Sequence, residues 1–194
     1  VKRVSYQRSK ETKRKLLDAV IALARRQSYE TITVQAICRE AGVSVGSFYH
    51  QFGSKDELVL AACEKVDGLL TDEMAQSLDS LPPLEAIDAL IRRYVAFIRD
   101  LGPMLGEYYR VLLEHPNRVF RDGTQRFGRE FRALLERAIS AGDLVTDQEA
   151  EALTEVGLRL LRGTFMDWLI RGCTFDLEAA YTRGFNAFLR YARG

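Results

Sequence analysis

The stretch that most constrains this chain is Thr31 to Lys55, TITVQAICREAGVSVGSFYHQFGSK. Val34, Ile37, Cys38 and Ala41 recur at i, i+3, i+4 and i+7, the spacing of one buried helical face, and Thr33 stands where a hydroxyl caps that helix. Gly42 follows where a residue in the left-handed conformation stops a helix. Ser44 then caps a second short helix carrying Val45, Ser47, Phe48, Tyr49 and His50. Two short helices joined by a tight turn make a helix-turn-helix.

With Val43, Phe48 and Phe52 directed inward, Ser44, Val45, Gly46, Ser47, Tyr49, His50 and Gln51 face out, all short or hydrogen-bonding and none acidic. Such a face suits a major groove. Ser54-Lys55-Asp56-Glu57 has the form of a capping box, which sets Lys55 at a defined place beside it. The competing reading is a helical hairpin buried in an ordinary all-α domain, with Tyr49 as a core residue four positions from Val45. Periodicity alone, however, does not clear one face of acids.

The runs Ile37-Cys38-Arg39-Glu40-Ala41-Gly42-Val43-Ser44, Phe48-Tyr49-His50-Gln51-Phe52 and Lys55-Asp56-Glu57-Leu58 resemble the DNA-binding segment of the TetR family of bacterial transcription regulators. Beyond them the resemblance is one of length and helical pattern. It implies that Val45 and Gly46 approach base edges, that Ser47, Tyr49 and Lys55 hold phosphates, and that His50 and Gln51 do either. Val45 and Gly46 have no bidentate donors and can only touch a thymine methyl or permit close approach. Direct readout is therefore thin, and Gln51 or DNA shape supplies more of it. Thr31 and Thr33, near a helix N-terminus, are further phosphate ligands.

Charge is divided along the same line. Up to Lys55 there are eleven Lys and Arg against four acids, and beyond it seventeen against twenty-three, although the whole chain of 194 residues has a net charge of only +1. A basic head on an acidic body fits a protein whose first part meets phosphate. No apolar run approaches the roughly 18 residues of a membrane span and no secretory leader is evident, so a cytoplasmic protein without a membrane partner is expected. Cys38, Cys63 and Cys173 lie far apart, with only His50 and His115 as co-ligands, which signals neither disulfides nor a metal site. Gly102 to Gly106 is not a phosphate loop, since Pro103 interrupts it and no Gly-Lys-Ser follows. With only isolated acids such as Glu107 and Asp167 to draw on, no catalytic residues, no cofactor and no enzyme activity are expected.

In chain order, Val1 to Ser9 reads as a flexible basic arm and Lys10 to Gln27 as a helix with Leu16, Leu17, Val20 and Ala24 inside. The cluster Lys10, Lys13, Arg14 and Lys15 in its first turns opposes the helix macrodipole, which suggests an anionic partner. After the helix-turn-helix, one long helix is expected from Lys55 to Leu78, with Val66, Leu69 and Leu70 inside, up to the break at Pro82-Pro83. Further helices are expected over Leu84–Leu101, over Met104–Glu114 closed by His115-Pro116, and from about Phe120 to a cap at Gly142. Two more follow, from an Asp147 cap to Arg171 and from an Asp176 cap to Tyr191. The tally is nine helices in an all-α fold, divided into a DNA-binding domain at 1–55 and a ligand-binding and dimerisation domain at 56–194.

Tyr94, Phe97, Ile98, Met104, Tyr108, Phe120, Phe127 and Phe131 supply more aromatic volume than a compact helical body needs, and predict an effector pocket. The last two helices are apolar on more than one side, which predicts a homodimer through Leu161, Phe165, Trp168, Tyr181, Phe185 and Phe188. Together these readings predict a ligand-responsive repressor that binds double-stranded, palindromic operator DNA as a homodimer and is released by a small, largely apolar effector. The alternative is an architectural or occlusion protein on the same fold without a ligand. An enclosed apolar cavity in the body separates the two.

Overall fold

The computed structural model describes residues 2–63, 72–114 and 125–193, so that Val66, Leu69, Leu70, His115 and Phe120 lie outside the described part. Within it the chain is helical: α1 (Lys2–Ala24), a 3-10 turn (Tyr29–Thr31), α2 (Val34–Ala41), α3 (Val45–Gln51), α4 (Lys55–Cys63), α5 (Asp72–Asp79), α6 (Pro83–Leu101), α7 (Met104–Glu114), α8 (Gln125–Ser140), α9 (Ala150–Ile170) and α10 (Leu177–Ala192). There is no strand among the described residues. The all-α reading holds, and α4 and α5 stand on either side of the undescribed part of the helix expected over Lys55–Leu78.

The chain forms two compact units, one of residues 1–65 with 100–119 and the other of 66–99 with 120–194. The first thus takes in α4 and α7 as well as the helix-turn-helix, and is larger than the expected 1–55. Its core gathers Leu16, Leu17 and Val20 of α1, Ile37 and Cys38 of α2, Phe48 and Phe52 around α3, Leu58 and Ala62 of α4, and Met104, Leu105 and Val111 of α7, all buried. Arg110 on α7 reaches Asp56 at the start of α4 at 2.7 Å and is also paired with Glu107 and Glu114.

The caps explain the short helices. Thr33 Oγ1 accepts the Ala36 amide at 3.1 Å, Gly42 closes α2 at φ 65°, and Ser44 Oγ accepts the Ser47 amide at 3.1 Å. The box at α4 is offset by one residue. Ser54 Oγ accepts the Glu57 amide, whereas the Glu57 carboxylate reaches back to the Gly53 amide instead of that of Ser54. The arm expected at 1–9 is helical from Lys2. It has no glycine or proline, and its Lys, Arg and Gln residues extend a nucleated helix at little cost.

The second unit packs α6, α8, α9 and α10 around Ile87, Leu90, Ile91, Val95, Phe131, Leu135, Leu153 and Phe165. Arg137 of α8 donates to the carbonyls of Leu78 and Leu81 at 3.1 and 2.7 Å and so holds the turn between α5 and α6. Asp176 caps α10 as expected, accepting from the Ala179 amide at 3.0 Å. Asp147 does not cap α9. The helix begins at Ala150 behind Glu149, which makes no side-chain cap, because Thr146 instead draws the Gln148 amide into a turn. The single tryptophan, Trp168, is buried and donates its indole N–H to the Phe175 carbonyl at 3.1 Å.

Candidate nucleic-acid interface

The outer face of α3 is built from below. Phe48 is fully buried, and its ring meets that of Tyr49 edge-on at 5.3 Å, so a core residue sets the direction of an exposed one. Tyr49 is 58% exposed and Val45 38%, while Ser44, Gly46 and His50 are also exposed and Ser47 is half-buried. Ser44 and Ser47 share a hydroxyl contact of 2.9 Å, which leaves part of their bonding capacity turned outward. No acid lies on this face. Thr33 keeps its hydroxyl proton free of the capping bond it accepts, and Thr31 donates to the Ser28 carbonyl at 2.8 Å.

Two expected contacts are turned elsewhere. The Lys55 ammonium donates to the carbonyls of Tyr29 and Ile32 and sits 4.3 Å from the centre of the Tyr29 ring, while burial pushes its pKa down. The half-buried Gln51 donates its side-chain amide to Ser9 Oγ at 2.9 Å. Neither partnership is visible in the sequence, since the pairs are separated by 23 to 42 residues and share no local pattern.

In the body, seven rings run in contact from Phe165 through Tyr94, Phe127, Phe131, Phe188 and Phe185 to Tyr181, with centroid separations from 4.4 to 6.3 Å. This run joins residues expected in the effector pocket to residues expected at the dimer interface. Phe97 is half-buried and Ile98 buried in the same unit, whereas Met104 and Tyr108 belong to the unit of the helix-turn-helix.

Leu161, Phe165, Trp168, Tyr181, Phe185 and Phe188 are all at most 8% exposed within the chain itself, because they occupy the side of α9 and α10 that faces α6 and α8. On the same two helices Leu160, Met166, Ile170 and Tyr191 are exposed. A cleft of about 20 Å³ opens beside Phe131, Gly157, Leu160, Thr164, Tyr181 and Gly184. That is room for one or two water molecules, well short of the roughly 300 Å³ of a drug-sized site. At its edge the Tyr181 hydroxyl meets Asp88 at 3.3 Å, and Arg92 holds the same carboxylate at 2.6 Å. Among the described residues no group of His, Cys, Asp and Glu is arranged to hold a metal, and no helix is long and apolar enough to cross a membrane.

A capped helix-turn-helix with an exposed, acid-free second helix, joined to a helical body, defines a DNA-binding transcription regulator. Residues 16–62 match the family model for bacterial regulatory proteins of the tetR family. Over these residues the chain is similar to that family. It is 28% identical over 184 residues to the regulator BetI of Rhizobium meliloti, a match covering 90% of this chain and 88% of BetI. A shorter match to the Bacillus subtilis regulator YerO, 32% identical over 93 residues, spans 46% of this chain and about a third (32%) of YerO. Among solved structures, Thermus thermophilus FadR, a TetR-family repressor crystallised with lauroyl-CoA, superposes with a TM-score of 0.63 at 20% identity, covering 91% of this chain and 93% of that one. These relatives are transcription regulators.

Proposed function

We propose that the chain is a homodimeric repressor whose α3 enters successive major grooves of a palindromic operator and whose release is driven by a small, largely apolar effector bound in the body. The observation that carries the DNA reading is the exposed face of Ser44, Val45, Gly46, Tyr49 and His50, which offers hydroxyls and close approach with no carboxylate to repel phosphate. The name of the FadR neighbour supports a repressor, and the acyl chain of its bound lauroyl-CoA supports an effector with an apolar part. The run of seven rings supports the same class, since displaced aromatic side chains open an apolar space with the Tyr181 hydroxyl at one end.

Among the described residues the cleft is small, which favours the second reading, a DNA-occluding protein with no effector. Duplex fragments selected by the purified protein identify the operator, and affinity for it is then measured with acyl-CoA thioesters and with aromatic compounds. An effector of the proposed kind lowers operator affinity by roughly 5- to 150-fold. Operator binding unmoved across both ligand classes leaves the occluding reading in its place.

A further inference from the structure

The charges on α1 fall into two sets. On one side Lys15 pairs with Glu11 at 3.1 Å and Arg14 with Asp18 at 3.3 Å, so those cations are offset within the helix. On the other, Tyr6, Ser9, Lys10 and Lys13 stand at i, i+3, i+4 and i+7, one continuous stripe. Here no carboxylate answers the lysines among the described residues. The Lys10 ammonium lies 4.7 Å from the centre of the Tyr6 ring, and that of Lys13 lies 5.7 Å from the centre of the Phe52 ring. A ring face leaves the ammonium fully charged and its donors largely unspent.

The same stripe is anchored to the end of α3. Gln51, the last residue of that helix, donates to Ser9, and Phe52, the next residue, receives Lys13. The stripe therefore extends the acid-free face of α3 onto α1, with Tyr6 60% exposed one turn beyond the Ser9 contact. We infer that the Tyr6-Ser9-Lys10-Lys13 stripe is a second contact surface for the sugar-phosphate backbone, and that Gln51 is a positioning residue that holds it there rather than a reader of bases. This rests on the reading that α3 enters the groove. Lysines that meet only rings can exchange them for phosphates without breaking an ion pair, which the Arg14 and Lys15 side cannot do.

The test compares K10Q/K13Q with R14Q/K15Q by anisotropy on operator and unrelated duplexes over a range of salt, with circular dichroism confirming helical content. The stripe doublet lowers affinity for both duplexes alike and reduces the slope of log K against log salt by about 1.8, two contacts at about 0.9 each. The control doublet moves the slope by less than about 0.5. Q51A and S9A each lower affinity uniformly and leave sequence preference intact. Equal slopes for the two doublets, or a Q51A protein with altered base preference at one operator position, overturn the inference. If the wild type prefers no sequence yet K10Q/K13Q still flattens its slope, the operator reading falls and this contact stands. If the wild type selects an operator and K10Q/K13Q leaves the slope unmoved, this contact falls and the operator reading stands.

Discussion

Lys55 and Tyr29 hold each other from both ends: the lysine ammonium donates to the Tyr29 carbonyl at 3.2 Å, and the tyrosine hydroxyl donates to the Lys55 carbonyl at 3.0 Å. The pair fastens the turn ahead of α2 to the first residue of α4, and so fixes the entry to the helix-turn-helix. Replacing Lys55 with Met keeps the stem but leaves the Tyr29 and Ile32 carbonyls without their cationic donor, at a cost of about 1 to 2 kcal/mol in stability. The salt slope of DNA binding should fall by less than the 0.9 or so of one phosphate contact. A full loss of about 0.9 with an unmoved melting temperature would show that the lysine leaves Tyr29 for DNA.

Gly157 is required by contact and not by backbone conformation. A Cβ at that position would lie 2.6 Å from the Phe131 ring, whose neighbours Phe127 and Phe188 are themselves packed against it. Gly157→Ala gains about 1 kcal/mol of helix propensity and loses about 1 to 3 kcal/mol to overpacking, so the variant melts at lower or equal temperature. A clearly higher melting point would mean that Phe131 moves freely, as an openable effector site requires.

Burial and the adjacent Asp88 push the Tyr181 phenol well above its ordinary value of 10.0. Its folded pKa exceeds the unfolded one, so the native state keeps a proton that the unfolded state gives up. The resulting stability is intact below pH 10 and is lost as the pH rises beyond it, at up to about 1.4 kcal/mol per pH unit. Thermal or urea unfolding followed from pH 9 to 11 should therefore decline more steeply for the wild type than for Tyr181→Phe. Parallel curves would place the phenol in water.

For the proposed dimer, the outward and inward sides of α9 and α10 give opposite outcomes. Ile170, 77% exposed, tolerates Asp in the isolated chain, so Ile170→Asp should yield a folded monomer by sedimentation. Phe185, 8% exposed and stacked between Tyr181 and Phe188, does not; Phe185→Asp should abolish cooperative unfolding. A folded monomer from Phe185→Asp would return the interface to the inner stripe.

Local patterns were the most legible part of the chain. Thr33, Gly42, Ser44 and Asp176 act at the helix ends where the sequence places them, because caps depend on neighbours within four residues. Two local readings nonetheless missed. The arm at 1–9 has no apolar stripe, yet no glycine or proline stops a helix begun further on, and Asp147 lost its cap to a turn that Thr146 makes instead. Side-chain partners distant in sequence were not legible at all. The Gln51–Ser9 and Lys55–Ile32 bonds depend on how α1, α3 and the turn before α2 come together, and the apolar spacing of α9 and α10 specifies a buried side without saying which helices bury it.

Trp168 is the only indole in the chain, and it sits in the body, one helical turn from the Phe165 end of the ring run. Its intrinsic emission therefore reports on the body alone, with the helix-turn-helix silent at the same wavelength. Compounds can be screened for entry among those rings by fluorescence of the unlabelled protein, before any operator is known.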